Sequence, residues 1–216
     1  MKMFKENKKT ILITALLPVL PIVFGLLLWN QLPEQMATHF NADNKVDGFS
    51  SKLFTVVGLP LIMLGGHMLS ALMTTIDPRR RNISNKMFSL VLWLMPFISI
   101  FTLTMIYAYN LGIPINTNLF GHLLVGLIFL IVGNYLPKIR QNYTIGIKLP
   151  WTMNNEENWS RTHRLGGVVW MIAGAFILLS GFITSFNAEW TLLGVVLVAI
   201  LVPTIYSLYL HVQKGL

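Results

Sequence analysis

Charge is scarce in this 216-residue chain, and cysteine is missing altogether. Without cysteine there are no disulfides, no thiolate chemistry and no cysteine-ligated metal, while the compartment stays open. Only 11% of the residues are Asp, Glu, Lys or Arg, against about 25% in an ordinary soluble domain. Also absent are a Gly-x-Ser-x-Gly elbow, a His-Glu-x-x-His pair and a Gly-rich phosphate loop, so catalysis has no motif to rest on.

Apolar residues make up 54% of the chain, with a mean hydropathy of +0.64. They fall in six blocks: Ile11–Trp29, Leu53–Ile76, Met87–Tyr109, Leu119–Leu136, Gly167–Phe186 and Thr191–Leu210. None holds an acidic residue, a lysine or an arginine. Each is roughly 18–24 residues long, and about 20 are needed to cross ~30 Å of hydrocarbon. The prediction is an all-α integral membrane protein with six transmembrane helices, forming one membrane domain over 1–216. Its N-terminal part, 1–80, carries a loop at 30–52; its C-terminal part, 87–216, carries a loop at 137–166. The first block is too long for a signal-peptide apolar region, and no small-residue cleavage site follows it, so it is expected to stay as a helix.

The net charge of +8 is spread unevenly. The N-terminal segment, the second and fourth loops and the tail together hold fourteen basic and four acidic residues. The alternate loops hold two basic residues, Lys45 and Lys52, against Glu34, Asp43, Asp47 and Glu189. By the positive-inside rule both termini are cytoplasmic, as an even number of spans requires. The charge is thus a topology signal. It also suits anionic lipid headgroups, and direct nucleic-acid binding is not expected.

Pro18, Pro21, Pro60, Pro96 and Pro203 fall within the blocks, where each removes a backbone donor and bends its helix. Gly167, Gly174 and Gly181 recur every seven residues, as do Gly126 and Gly133. Such small residues let membrane helices approach closely, and we read them as packing positions.

Two loops are long enough to be functional. The first, predicted outside, reads LPEQMATHFNADNKVDGFSSK from Leu32 to Lys52. It opens at Pro33 and ends with a turn-forming Asp47-Gly48, and between them sit Glu34, His39, Asn41, Asp43 and Asp47, with Phe40 and Phe49 as its aromatic residues. The spacing fits no metal-ligand template. The expectation is a compact polar loop anchored by its two phenylalanines, or a surface that recognises an external peptide or small molecule.

The second, predicted inside, contains NYTIGIKLPWTMNNEENWSRTHRLGG, Asn142 to Gly167. Its first part reads as extended or turn structure, with Gly146 and Pro150. From Asn154 the pattern turns helical, with Asn154 as cap, Glu157 three positions on and Arg161 one turn further. This predicts a short interfacial helix, with Trp151 and Trp159 in the interfacial belt and Lys148, Arg161 and Arg164 reaching phosphates. His67 is the ionisable residue well inside a block, expected to be neutral and hydrogen-bonded. His122 is expected at the interface.

The inner segment resembles the signature of the SdpI-type bacterial membrane proteins: Asn142, Gly146, Ile147, Lys148, then Pro150-Trp151-Thr152, then Trp159, Thr162 and His163. The outer loop is similar to the N-terminal domain of unknown function often joined to that family, through Leu32, Pro33, His39, Phe40, Asp47, Gly48 and Lys52. Lys148 and Leu149 stand where the pattern has Arg and Thr. A lysine there keeps the charge but loses the planar fork. The resemblance implies a plasma-membrane protein of Gram-positive bacteria that gives immunity to a secreted peptide toxin, the sporulation-delay killing factor. It implies that the protein is no enzyme, needs no cofactor, and that these residues with Arg164 meet a toxin or another partner. A cytosolic transcriptional repressor held at the membrane is a further implied partner. A small membrane transporter or lipid-modifying enzyme using His67 or the polar loops is the alternative, and a packing scaffold the third reading.

Overall fold

The computed structural model describes residues 2–41, 43–183 and 188–216. Among them six helices are long and apolar enough to cross a membrane: Lys8–Leu27, Phe54–Ile76, Asn85–Asn110, Thr117–Lys138, Glu156–Ser180 and Trp190–Lys214. They account for the six apolar blocks, and we number them as spans one to six. The end of the fifth block, up to Phe186, and the Glu189 side chain lie outside the described residues. Helices satisfy their own backbone groups, which a hydrocarbon environment demands. Their outward faces are aliphatic and aromatic, as at Leu12, Leu16 and Leu27 on the first span. This is a multi-pass, all-α membrane protein.

The chain packs as two compact units, Met1–Thr75 with Phe88–Phe120 and Ile76–Met87 with Gly121–Leu216. In the first unit, Pro18 sits in a 3-10 turn, Leu17–Val19, that interrupts the first span between Lys8–Leu16 and Leu20–Leu27. Gly25 lets the third span close in. A Cβ there would lie 2.6 Å from Val56 and 2.8 Å from the Tyr107 hydroxyl, and that hydroxyl donates to Pro21 O at 3.0 Å. Leu32, Met36, Val56, Leu103, Ile106 and Tyr107 form the buried cluster around this point.

The loop over that cluster is a β-hairpin, where the sequence predicted irregular structure. β1 (Gln35–Phe40) pairs antiparallel with β2 (Val46–Ser51), with a bulge around Thr38 and His39. Asp47-Gly48 is no turn but part of β2. The reversal comes earlier, where Asn41 Oδ1 accepts from the N–H groups of Asp43 and Lys45 and Asn44 takes a positive φ of 62°. Asn110, at the end of the third span, bonds both backbone groups of Ala37. Lys52 is buried, donating to Trp29 O at 3.1 Å and pairing with Glu34 at 2.8 Å. Phe40 packs edge-on to Tyr109, whereas Phe49 is exposed.

In the second unit the glycine spacing has the consequence expected of it. A Cβ on Gly174 would lie 2.8 Å from Gly126 O, and one on Gly167 would lie 2.8 Å from Gly133 O. The fourth and fifth spans therefore touch backbone to backbone at two points, two turns apart. Trp170 stacks on Phe129 and donates to Ala199 O at 3.0 Å, tying the fifth span to the sixth.

Candidate functional site

The loop from Ile139 to Asn154 would be a floppy run of polar backbone were it not for Asn142. Its buried side chain accepts from the N–H groups of Thr144 and Ile145 and donates to the carbonyls of Arg140 and Ile145, so one amide folds the chain into a tight turn. Thr152, also buried, accepts from the Leu149 N–H at 2.8 Å and donates back into the turn before it. Pro150 begins a one-turn helix, Pro150–Asn154, where its fixed φ and missing N–H are tolerated.

The next helix is capped by Asn155, not Asn154. Asn155 is extended, and its Oδ1 accepts from the N–H groups of Glu157 and Asn158. That helix is no separate interfacial segment. It runs unbroken from Glu156 to Ser180 as the fifth span, because its first turns are packed on several sides. Trp159 is correspondingly not in an interfacial belt. It is buried, its Nε1 donates to Ile139 O at 2.8 Å, and its ring stacks on His163 with centroids 4.1 Å apart.

His163 is wholly buried and joined at both nitrogens. Nδ1 lies 2.8 Å from Trp159 O, and Nε2 accepts from the Ile147 N–H at 2.9 Å. A carbonyl at one nitrogen and an N–H at the other define the neutral ring protonated on Nδ1. Gly146 makes this possible. Its φ is +123°, and any Cβ there would strike His163 Nε2 and come within 2.9 Å of the Trp159 ring.

A second set of bonds links the fifth and sixth spans. Asn158 Oδ1 accepts from Ser207 Oγ at 2.6 Å and Thr162 Oγ1 at 3.0 Å, while its Nδ2 donates to Ser207 O. Trp151 Nε1 donates to Ser207 Oγ at 2.8 Å, and its ring stacks on His211. The sequence reading missed Asn158 and Ser207. Their one sequence signal is a polar residue on a helix face otherwise turned to packing.

It also missed Asp77 and Gln141. Asp77 is buried, has no cationic side-chain partner among the described residues, and accepts from the Arg79 N–H, the Tyr143 N–H and Thr144 Oγ1. Gln141 is buried too, donating to the carbonyls of Thr152 and Met153 and accepting from Arg79, whose guanidinium stands over the Tyr143 ring. The second loop is thereby fastened to the signature loop.

The remaining expected site residues are spread out. Lys148 is exposed and turned back on the carbonyls of Tyr143 and Thr144; Pro150 and Arg164 are exposed. On the hairpin, Pro33 is exposed, His39 Nδ1 stands 2.5 Å from Asp47 Oδ1, and Gly48 lies opposite His39. No group of three or more His, Asp or Glu side chains arranged to hold a metal occurs among the described residues. His67 is buried with Nε2 3.4 Å from Thr14 Oγ1, and His122 is buried where an interfacial position was expected.

A membrane protein whose polar signature is folded into the base of two spans is the class these features define. Residues 138–207 match the model of the SdpI/YfhL protein family, and residues 16–64 match that of a domain of unknown function (DUF1648). The chain is thus similar to the SdpI/YfhL family over residues 138–207, with the domain of unknown function ahead of that segment. The family segment runs from beside Ile139, which receives the Trp159 bond, to Ser207, which receives the Trp151 bond. Immunity protein SdpI of Bacillus subtilis (strain 168) is 28% identical over 210 residues, covering 94% of this chain and 96% of the relative. No solved structure gives a significant match. The protein is a multi-pass protein of the plasma membrane.

Proposed function

We propose that this chain is an immunity protein that protects its cell from a secreted antibacterial peptide by binding rather than by chemistry. The observation that carries the reading is the likeness to Immunity protein SdpI over 94% of the chain. The site's geometry agrees with a binding role. Trp159, His163, Asn142 and Thr152 spend their hydrogen bonds on the protein itself, so the signature is a frame that holds a surface in shape. Lys148, Pro150 and Arg164 are the members of that motif a partner meets.

With both termini in the cytoplasm, that surface faces the cytosol, where it meets anionic lipid and is the place for a repressor to be held. The hairpin faces the incoming peptide. The test is survival of a toxin-sensitive Gram-positive strain lacking its own immunity genes, challenged with the sporulation-delay killing peptide. Protection relative to a vector control supports the reading. No protection, with the protein shown to be in the membrane, overturns it.

A further inference from the structure

The hairpin has two edges, and only one is closed. On β1, the Ala37 N–H donates to Asn110 Oδ1 at 2.9 Å and the Ala37 C=O accepts from Asn110 Nδ2 at 3.0 Å. Both groups therefore point away from β2. In an antiparallel ladder, residues of a non-hydrogen-bonded pair turn their backbone groups outward to opposite edges. Ala37 lies opposite Phe49, so the N–H and C=O of Phe49 point out from the far edge of β2. The Lys52 N–H, donating to Glu34 O at 2.9 Å, gives the same register. Ser51, the next outward residue, has its C=O met by Thr55 Oγ1. No hydrogen bond from the described residues meets the backbone of Phe49, and the residue is 63% exposed.

We propose that the β2 edge at Phe49 is a docking edge on which an extended segment of an external peptide adds a third strand. This rests on the immunity reading above and names the surface it uses. Strand addition takes its affinity from backbone hydrogen bonds and its selectivity from the side chains beside them. The partner this edge fits is a peptide strand that offers a C=O and an N–H to Phe49 and an apolar side chain to its ring. Open edges are ordinarily blunted by charge, proline or a covering element. Asn110 does so for β1, whereas an exposed aromatic ring stands at the open position on β2. The hairpin is also rigid before a partner arrives. Asn110, Asn44 through Thr117, and Lys52 through Trp29 fix it to the helix ends, which lowers the ordering cost of binding.

The test uses the full chain in proteoliposomes and the killing peptide of the survival assay. Phe49→Ala removes the ring, and Phe49→Pro removes the ring and the outward N–H as well. Because that N–H makes no ladder bond, both variants keep the wild-type melting temperature. The expected result is peptide binding about tenfold weaker for Phe49→Pro than for Phe49→Ala. Equal affinities overturn the strand-addition proposal. A photoreactive benzoylphenylalanine at position 49 supplies an arm independent of proline; it is expected to cross-link to the peptide, and cross-linking to lipid alone makes the edge a membrane anchor and overturns the proposal. A wild-type chain that protects cells while all Phe49 variants protect equally loses the docking edge and keeps the immunity reading. A wild-type chain that does not protect loses both.

Discussion

Gly146 and His163 are fitted to one another: the glycine, at φ +123°, leaves open the space that His163 Nε2 occupies as it accepts from the Ile147 N–H at 2.9 Å. A side chain at 146 meets two obstacles at once, a left-handed backbone and an occupied pocket. Gly146→Ala is expected to destabilise the purified protein by about 2–4 kcal/mol, from backbone strain plus overpacking. A thermal melt in detergent checks this, and an unchanged midpoint would mean that the loop relaxes freely.

How much of this was legible beforehand depends on what each residue type announces. The spans were legible because twenty uncharged apolar residues have one use, and the seven-residue glycine spacing correctly marked the crossing of the fourth and fifth spans. Trp159 was misplaced because an aromatic beside charged residues reads as interfacial, whereas its partners, Ile139 O and the His163 ring, come from 20 residues upstream and one turn on. Asp77 entered only as one negative charge in a topology count. Its three donors lie up to 67 residues away and leave no local pattern. In the outer loop Asp47-Gly48 carried the strongest turn signal, and the bulge opposite His39 used it inside a strand instead.

Asp77 supplies a second prediction. A buried carboxylate accepting three hydrogen bonds needs acceptor capacity on both oxygens. Asp77→Asn puts an NH2 group against the Tyr143 N–H and Thr144, so at least one buried donor loses its partner. The expected cost is about 1–3 kcal/mol. The change should appear as faster proteolysis between residues 139 and 154, with the membrane level of the protein unaltered.

Ser207 tests the coupling of the fifth and sixth spans. It accepts from Trp151, donates to Asn158 and is fully buried. Ser207→Ala and Trp151→Phe each break the same hydrogen bond. Their effects should therefore be less than additive, with a coupling of about 0.5–1.5 kcal/mol in a double-mutant cycle on thermal stability. Strict additivity would show that the Trp151–Ser207 bond contributes nothing.

Gly174→Leu addresses the span crossing. Its Cβ alone would lie 2.8 Å from both Gly126 O and Leu130 N. These are backbone atoms, so no rotamer change relieves the clash. The fourth and fifth spans must separate, with a loss of about 2–4 kcal/mol and a fall in steady-state level. Gly194, with nothing within 4 Å of its Cβ position, is the matched control, and Gly194→Leu should leave the level unchanged.

His163 separates framework from function. His163→Ala removes a ring stacked on Trp159 and strands the Ile147 N–H, so lost protection in that variant would have two explanations. Arg164→Ala, one residue on, disturbs no bond in the network, because the side chain is exposed. If the inner loop presents a surface to a partner, Arg164→Ala lowers survival under peptide challenge, or repressor retention at the membrane, at normal protein level and melting temperature. If the loop is framework alone, only His163→Ala fails, and it fails in proportion to its lost stability. Scoring both variants for level, melting point and survival decides between a displayed surface and a scaffold.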